Sequence, residues 1–174
     1  MEEHVILVDK HDMPQGRMEK LEAHQKGELH RAFSIFIFND NQELLLQQRA
    51  QNKYHSGGLW TNSCCSHPRE GESNLNAAER RLHEEMGMAC ELSYAFNFLY
   101  KVEFEDGLIE HELDHVFFGK SNEQPVINAD EVMDFRYISL NLLKKDIEAN
   151  PNNYTIWLKI CLDKVIAHID MNIK

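Results

Sequence analysis

The chain has 174 residues, with 18 basic and 29 acidic side chains and a net charge of −11. This length predicts a single domain over residues 1–174, and the acidic balance argues against nucleic acid as a partner, since proteins that bind phosphate chains present a basic face. The first residues include no basic segment, and no apolar run approaches the roughly 18 to 20 residues that cross a bilayer, so we expect no membrane association and a cytoplasmic location.

The first predicted elements are strands. Residues 5–8 form a short apolar run, and residues 31–38 are aromatic and β-branched, as in buried strands. Polar residues 39–42 separate them from the apolar run 43–49. We therefore expect 31–38 and 43–49 to form a β-hairpin.

An amphipathic helix is predicted over residues 74–86. Apolar side chains recur there at helical spacing, and Gly87 stands where a glycine commonly ends a helix. The apolar positions are Leu75, Ala78, Leu82 and Met86.

Strands and two further helices are predicted after residue 86. The strand patterns cover residues 92–104, 112–119 and 135–138. Ser139 is suited to cap a helix that runs to about residue 149, and a last helix is expected over residues 154–171. This order predicts an α+β fold with mixed α/β layers, in which mixed β-sheets pack between helices.

Phosphate and metal chemistry is indicated by two neighbouring motifs. Cys65 precedes His67 by two residues, which places a thiol near a metal-ligating imidazole. In the helix, Arg80 with Glu84 and Arg81 with Glu85 stand at i,i+4, so each pair shares a face. Alone, such pairs are more often surface salt bridges. The four cysteines form neither a disulfide framework nor a Cys-x-x-Cys metal motif, so we expect reduced thiols.

Histidines and carboxylates form a second group of metal-ligand types. His24 and His30 lie on either side of Gly27, in a loop or short helix, and each taken alone is more often a surface or core histidine. Glu110 and Glu112 are two residues apart, which directs both carboxylates to one face of a strand. Imidazole nitrogen with carboxylate oxygen suits Zn²⁺ or Mn²⁺ better than Mg²⁺. Spacing alone does not assemble this group.

These motifs resemble those of a known enzyme family. Residues 61–68 read TNSCCSHP, and Glu110-x-Glu112 follows. Between them, a set of residues stands at the spacing of the Nudix box, except that Ser66 replaces its first glycine and Arg81 replaces a glutamate: Ser66, Glu72, Arg80, Arg81, Leu82, Glu84, Glu85, Gly87 and Met88. Together they are similar to type 1 isopentenyl diphosphate isomerase, a Nudix-like family, from about residue 3 to residue 157.

The resemblance implies the activity and the site. Enzymes of this family interconvert isopentenyl and dimethylallyl diphosphate, isoprenoid precursors, by protonation and deprotonation on opposite faces of the substrate. It implies Cys65 and Glu112 as the acid-base pair with Tyr100 and Trp157 beside them, Zn²⁺ or Mn²⁺ on His24, His30, His67, Glu110 and Glu112, Mg²⁺ carried by the diphosphate on Glu85, and anion contacts from Lys20, Arg49, Lys53 and Arg81. The partner expected is a small prenyl diphosphate, and the chain is expected to be a monomer or a weak homodimer.

One departure and two alternatives remain at this stage. Gly57 stands where the family has proline, so the loop is expected to be more mobile. The first alternative is a Nudix hydrolase of a nucleoside diphosphate derivative, which would release phosphate; loss of a box carboxylate to Arg81 argues against it. The second is a non-enzymatic metal-binding module, which would unfold when its metal is removed.

Overall fold

A computed structural model describes residues 3–172, and the ends of the expected domain, residues 1–2 and 173–174, lie outside the described residues. Within residues 3–172 the chain forms nine strands and four α-helices. In chain order they are β1 (His4–Val8), β2 (Pro14–Glu19), α1 (Lys20–Lys26), β3 (His30–Phe38), β4 (Glu43–Arg49), β5 (Trp60–Thr61), β6 (Cys64–Ser66), α2 (Asn74–Met86), β7 (Leu92–Glu103), β8 (Ile109–Lys120), β9 (Val132–Ser139), α3 (Leu140–Ala149) and α4 (Ile156–Asn172). This arrangement confirms the predicted α+β class.

The helix predicted over residues 74–86 is α2, with the same bounds. The Ser73 hydroxyl accepts a hydrogen bond from the backbone N–H of Asn76 at its start, and Gly87 ends it at φ 62°. Only glycine fits here, because an added Cβ would lie 2.5 Å from the backbone oxygen of Val126. Local sequence therefore determines both ends of α2.

The expected hairpin forms only at its closed end. Between β3 and β4 the pairing is Phe38 with Leu44, near the turn. Beyond that point β3 runs parallel to β8, from His30 beside Glu112 to Phe38 beside Lys120, while β4 pairs with β9. β3 is buried on both faces, which favours a central position in the sheet.

Alternating side chains of β3 supply the apolar core on both faces of the sheet. Phe33, Ile35 and Ile37 pack with α2, whereas Phe36 packs beneath α4. The predicted helix over residues 154–171 begins later, at Ile156, because Tyr154 bridges to Trp60 and the Thr155 N–H donates to the Trp60 carbonyl. Within residues 3–172, no helix has both the length and the apolar character that crossing a membrane requires.

The strands β2, β5 and β6 were not anticipated from the sequence. β6 matters most for the site, because it pairs with β3 and sets Cys65 beside Ser34. The expectation of a loop or short helix holds for His24, which lies on α1, and is wrong for His30, which opens β3. Pairing of β3 with β8 draws His30 into the sheet.

Candidate active site

Buried histidines meet where α1, β3, β6 and β8 converge. Donor atoms of His24, His30, His67 and Glu112 all lie within 4.8 Å of one another. One oxygen of Glu112, Oε1, is 3.0 Å from Nε2 of His67 and 3.4 Å from Nε2 of His30. The structure thus brings together four of the five ligands that the sequence suggested, and the fifth, Glu110, lies in an adjoining group with His24 and His55.

The protonation of this cluster fits a metal ion. Nδ1 of His24 is 2.7 Å from the Lys20 carbonyl, and Nδ1 of His30 is 2.8 Å from the Glu28 carbonyl. A carbonyl only accepts, so Nδ1 carries a proton in both rings, which leaves Nε2 as the nitrogen that could bind a metal. Among residues 3–172, Nε2 of His30 finds no hydrogen-bond partner although it is buried. Burial lowers the pKa of His67 to about 4, so its imidazole is also neutral.

The two carboxylates of β8 share one tyrosine. Tyr100 on β7 places its hydroxyl 2.6 Å from Oε2 of Glu112 and 3.0 Å from Oε2 of Glu110. One hydroxyl proton cannot serve both contacts. Burial, and then the charge of Glu112, raise the pKa of Glu110 well above its usual range, which favours a proton on Glu110 beside the tyrosine hydroxyl. Burial acts to raise the pKa of Glu112, but the neighbouring imidazoles of His30 and His67 outweigh it and hold this pKa well below the usual range.

Adjacent cysteines face opposite sides of β6. Cys64 is fully buried in the core that packs against α2, whereas Cys65 lines a cavity of about 380 Å³ together with His67, Tyr100 and Glu112. The alternation of a strand separates them. Burial raises the pKa of the Cys65 thiol to about 12, so it is a neutral proton donor at pH 7.

Cationic side chains line the same cavity. They are Lys20, Arg49, Lys53 and Arg81, the set suggested from the sequence. Arg81 is 2.5 Å from Oε1 of Glu85 and 3.3 Å from Oε1 of Glu131, and Lys53 also pairs with Glu131. These carboxylates and cations together suit an anion that arrives with its own divalent metal.

Trp157 forms part of the cavity wall. It is 4% exposed, and it both packs in the apolar core beneath α4 and lines the cavity. The guanidinium carbon of Arg49 lies 5.1 Å from the indole centroid. An aromatic face in a dry pocket stabilises a neighbouring cation.

Some residues of the site escaped sequence reasoning. His55 reaches the histidine and carboxylate cluster from the loop between β4 and β5, with Nε2 3.3 Å from Oε1 of Glu110. Asp114 accepts a hydrogen bond of 2.7 Å from Ser34 behind Cys65, and burial with the charge of Glu112 raises the pKa of Asp114 to about 8. Only weak features of the sequence pointed to these two residues. His55 follows Lys53 by two residues, and Asp114 continues the alternation of Glu110 and Glu112 along the strand.

Comparison with known proteins identifies the fold family. The NUDIX domain family model matches residues 28–158. Among solved structures, DR0079 of Deinococcus radiodurans aligns with a TM-score of 0.78 at 17% identity, covering 93% of this chain and 98% of that one. The MutT protein of Methanosarcina mazei aligns with a TM-score of 0.66 at 17% identity, covering 84% and 96%. This is a Nudix protein.

Relatives of higher sequence identity show which family of Nudix proteins this chain belongs to. Isopentenyl-diphosphate Delta-isomerase 2 of Aromatoleum aromaticum is 54% identical over 99% of this chain and 91% of its own length. The isopentenyl-diphosphate Delta-isomerase of Pectobacterium atrosepticum is 52% identical over 92% of this chain and 90% of its own length. The chain belongs to the isopentenyl-diphosphate Delta-isomerase family.

Proposed function

We propose that this chain interconverts isopentenyl diphosphate and dimethylallyl diphosphate, with Cys65 and Glu112 as the acid-base pair. The observation that carries the proposal is the shared cavity: a neutral thiol on β6 and a carboxylate on β8 line it together. β3 lies between these strands, since it pairs with both. We infer that the two groups approach a substrate from different sides, an arrangement that suffices to move a double bond.

The reaction needs one proton to be added and another to be removed. One group of the pair protonates the terminal alkene carbon, the positive charge falls on the tertiary carbon, and the other group takes a proton from the carbon next to the oxygen-bearing one. Atoms balance, since one proton enters and one leaves the substrate. After each turnover the protonation states of Cys65 and Glu112 are exchanged and must be restored before the next.

The cavity walls protect the cation from water. Trp157, with 4% exposure, offers an aromatic face, worth about 2 kcal/mol when a cation is desolvated against it. Tyr100, with 6% exposure, closes the same region next to Glu112. Exclusion of water favours isomerisation over trapping of the cation as an alcohol.

We assign the diphosphate to the cationic end of the cavity. Lys20, Arg49, Lys53 and Arg81 would contact its oxygens, and Glu85 would hold the Mg²⁺ that it carries. Arg81 stands where the Nudix box has a glutamate, and its contact with Glu85 supplies a cation instead of a further metal ligand. This substitution argues against hydrolysis of the diphosphate.

The histidine cluster would hold one Zn²⁺ or Mn²⁺ ion through His24, His30, His67, Glu110 and Glu112. Its neutral imidazoles and paired carboxylates suit such an ion. Bound there, the ion would supply positive charge that fixes the position and protonation of Glu112.

Proton NMR in deuterated water tests the activity. With isopentenyl diphosphate and Mg²⁺, we expect the terminal vinylidene signals to decline while the methyl signals of dimethylallyl diphosphate grow with deuterium incorporated. No free phosphate should appear. Unchanged isopentenyl diphosphate, together with hydrolysis of a nucleoside diphosphate panel, would overturn the proposal and favour a Nudix hydrolase.

A further inference from the structure

We propose that His55 is an additional ligand of the metal ion, which gives the centre four imidazoles and two carboxylates. The inference rests on the metal site of the proposed function and adds a residue from the loop between β4 and β5. His55 is 8% exposed, and its ring stacks on Phe104 with 5.0 Å between centroids. Its position is thus fixed by packing on one side while Nε2 faces the cluster.

The ligand-type groups specify one ion, not two. In the described part of the chain, His24, His30, His67 and Glu112 form one group, and His24, His55 and Glu110 form the other. His24 belongs to both. Its Nδ1 is committed to the Lys20 carbonyl at 2.7 Å, so only Nε2 has a lone pair, and one lone pair binds one ion.

The carboxylates are oriented so that their inner oxygens face the imidazoles. Tyr100 contacts the Oε2 atoms of Glu110 and Glu112. The Oε1 atoms point the other way: Oε1 of Glu112 lies 3.0 Å from His67, and Oε1 of Glu110 lies 3.3 Å from His55. Neighbouring ligands of an ion with bonds of about 2.1 Å at right angles are about 3 Å apart, so each pair has the spacing of two ligands of an ion, and His24 is the residue that joins the two groups.

His55 also presents the right chemical form. Its Nδ1 lies 3.2 Å from the hydroxyl of Ser56, which can accept a hydrogen bond from that nitrogen and leave Nε2 free. Four nitrogens and two oxygens favour a transition metal over Mg²⁺, which prefers oxygen.

Ligation by His55 would couple the metal to the diphosphate end of the cavity. Arg49 donates to the carbonyl oxygens of His55 and Ser56, each at 3.2 Å, and Lys53 lies two residues before His55. The same loop contains Gly57 and Gly58. An ion on His55 would therefore order a glycine-containing loop that carries Lys53 and accepts hydrogen bonds from Arg49.

X-ray absorption spectroscopy of the protein loaded with Zn²⁺ alone tests the ligand count. We expect four imidazoles per zinc in the wild type and three in His55→Gln. His115→Gln is the matched control, because His115 is also buried but faces Asp12 at 3.2 Å, and it should keep four. Three imidazoles in the wild type, or two zinc ions per chain, would overturn the inference even if His55→Gln failed to fold.

Hydrogen exchange gives an independent measurement. Zn²⁺ should slow exchange in residues 50–59 of the wild type and of His115→Gln, and this protection should be lost in His55→Gln and recovered when imidazole is added to His55→Gly. Equal protection in His55→Gln would contradict the inference. A wild type that binds no metal would instead remove the metal centre of the proposed function, so the two failures are distinguishable.

Discussion

Arg81→Met should destabilise the protein by about 3 kcal/mol, because it leaves Glu85 charged and buried without its cation. The side chains of Arg81 and Glu85 are 16% and 7% exposed, and their closest atoms are 2.5 Å apart. Removing one partner of a buried pair costs about 3 to 5 kcal/mol, and the lower end applies because Gln47 still donates to Glu85 at 3.0 Å. For a chain of this size the loss corresponds to a fall in Tm of roughly 6 to 12 °C.

Lys26→Met provides the matched control. Lys26 and Glu22 form an i,i+4 pair at 2.6 Å, as Arg81 and Glu85 do, but their side chains are 54% and 45% exposed. Its removal should cost less than about 0.5 kcal/mol. Urea unfolding without divalent metal measures both variants, and equal costs would refute the claim that burial makes the Arg81 pair different.

Charge replacement extends the same test. Millimolar Mg²⁺ should recover more stability in Arg81→Met than in the wild type, since a divalent ion can take the place of the guanidinium beside Glu85. In Arg81→Met with Glu85→Gln, the loss should be smaller than the sum of the single losses, because no buried charge is left unpaired. Additive losses would show that the two side chains act independently.

Three further predictions concern turnover and metal binding. Cys65→Ser should lower kcat by about 10²- to 10⁴-fold with unchanged circular dichroism, whereas Cys64→Ser, on the other face of β6, should keep kcat within a few-fold. Trp157→Leu should lower kcat about 30-fold, which corresponds to about 2 kcal/mol of lost cation stabilisation, and Trp157→Phe should lower kcat by a smaller factor. Equal decreases of kcat in the two variants would show that the tryptophan acts through packing. At pH 6, binding of Zn²⁺ should release about one proton. We expect it to come from Glu110, whose pKa is raised, and none to come from His67, whose pKa of about 4 lies below this pH. Calorimetry in buffers of different ionisation enthalpy measures the number of protons released, and release of three or more would contradict the prediction.

Periodic and local features were predictable from the sequence. The helix α2 is specified by apolar spacing and by Gly87 at its end, which are properties of adjacent residues. The alternation of β8 likewise places Glu110 and Glu112 on one face before any tertiary contact is known. Recognition of the family from the motifs at residues 61–68 and 80–88 depended on the same local order.

Contacts between distant strands were not predictable in this way. The sequence suggested a simple hairpin of residues 31–38 with 43–49, yet β3 pairs with β8, so Glu112 meets His30 across 82 positions. Pairing of this kind depends on which strands bury both faces, which no window of sequence contains.

The sequence by itself determined the reactive groups and their local spacing: the thiol at Cys65, the carboxylates of β8 and the charged face of α2. The tertiary structure decided which of these groups share a cavity and in what protonation state. It raised the pKa of both Cys65 and Glu110, and it brought His55 beside Glu110 from a loop with no periodic pattern. The physical reason is that burial and long-range pairing set the local dielectric and the neighbours of each group, and both arise only when the strands assemble.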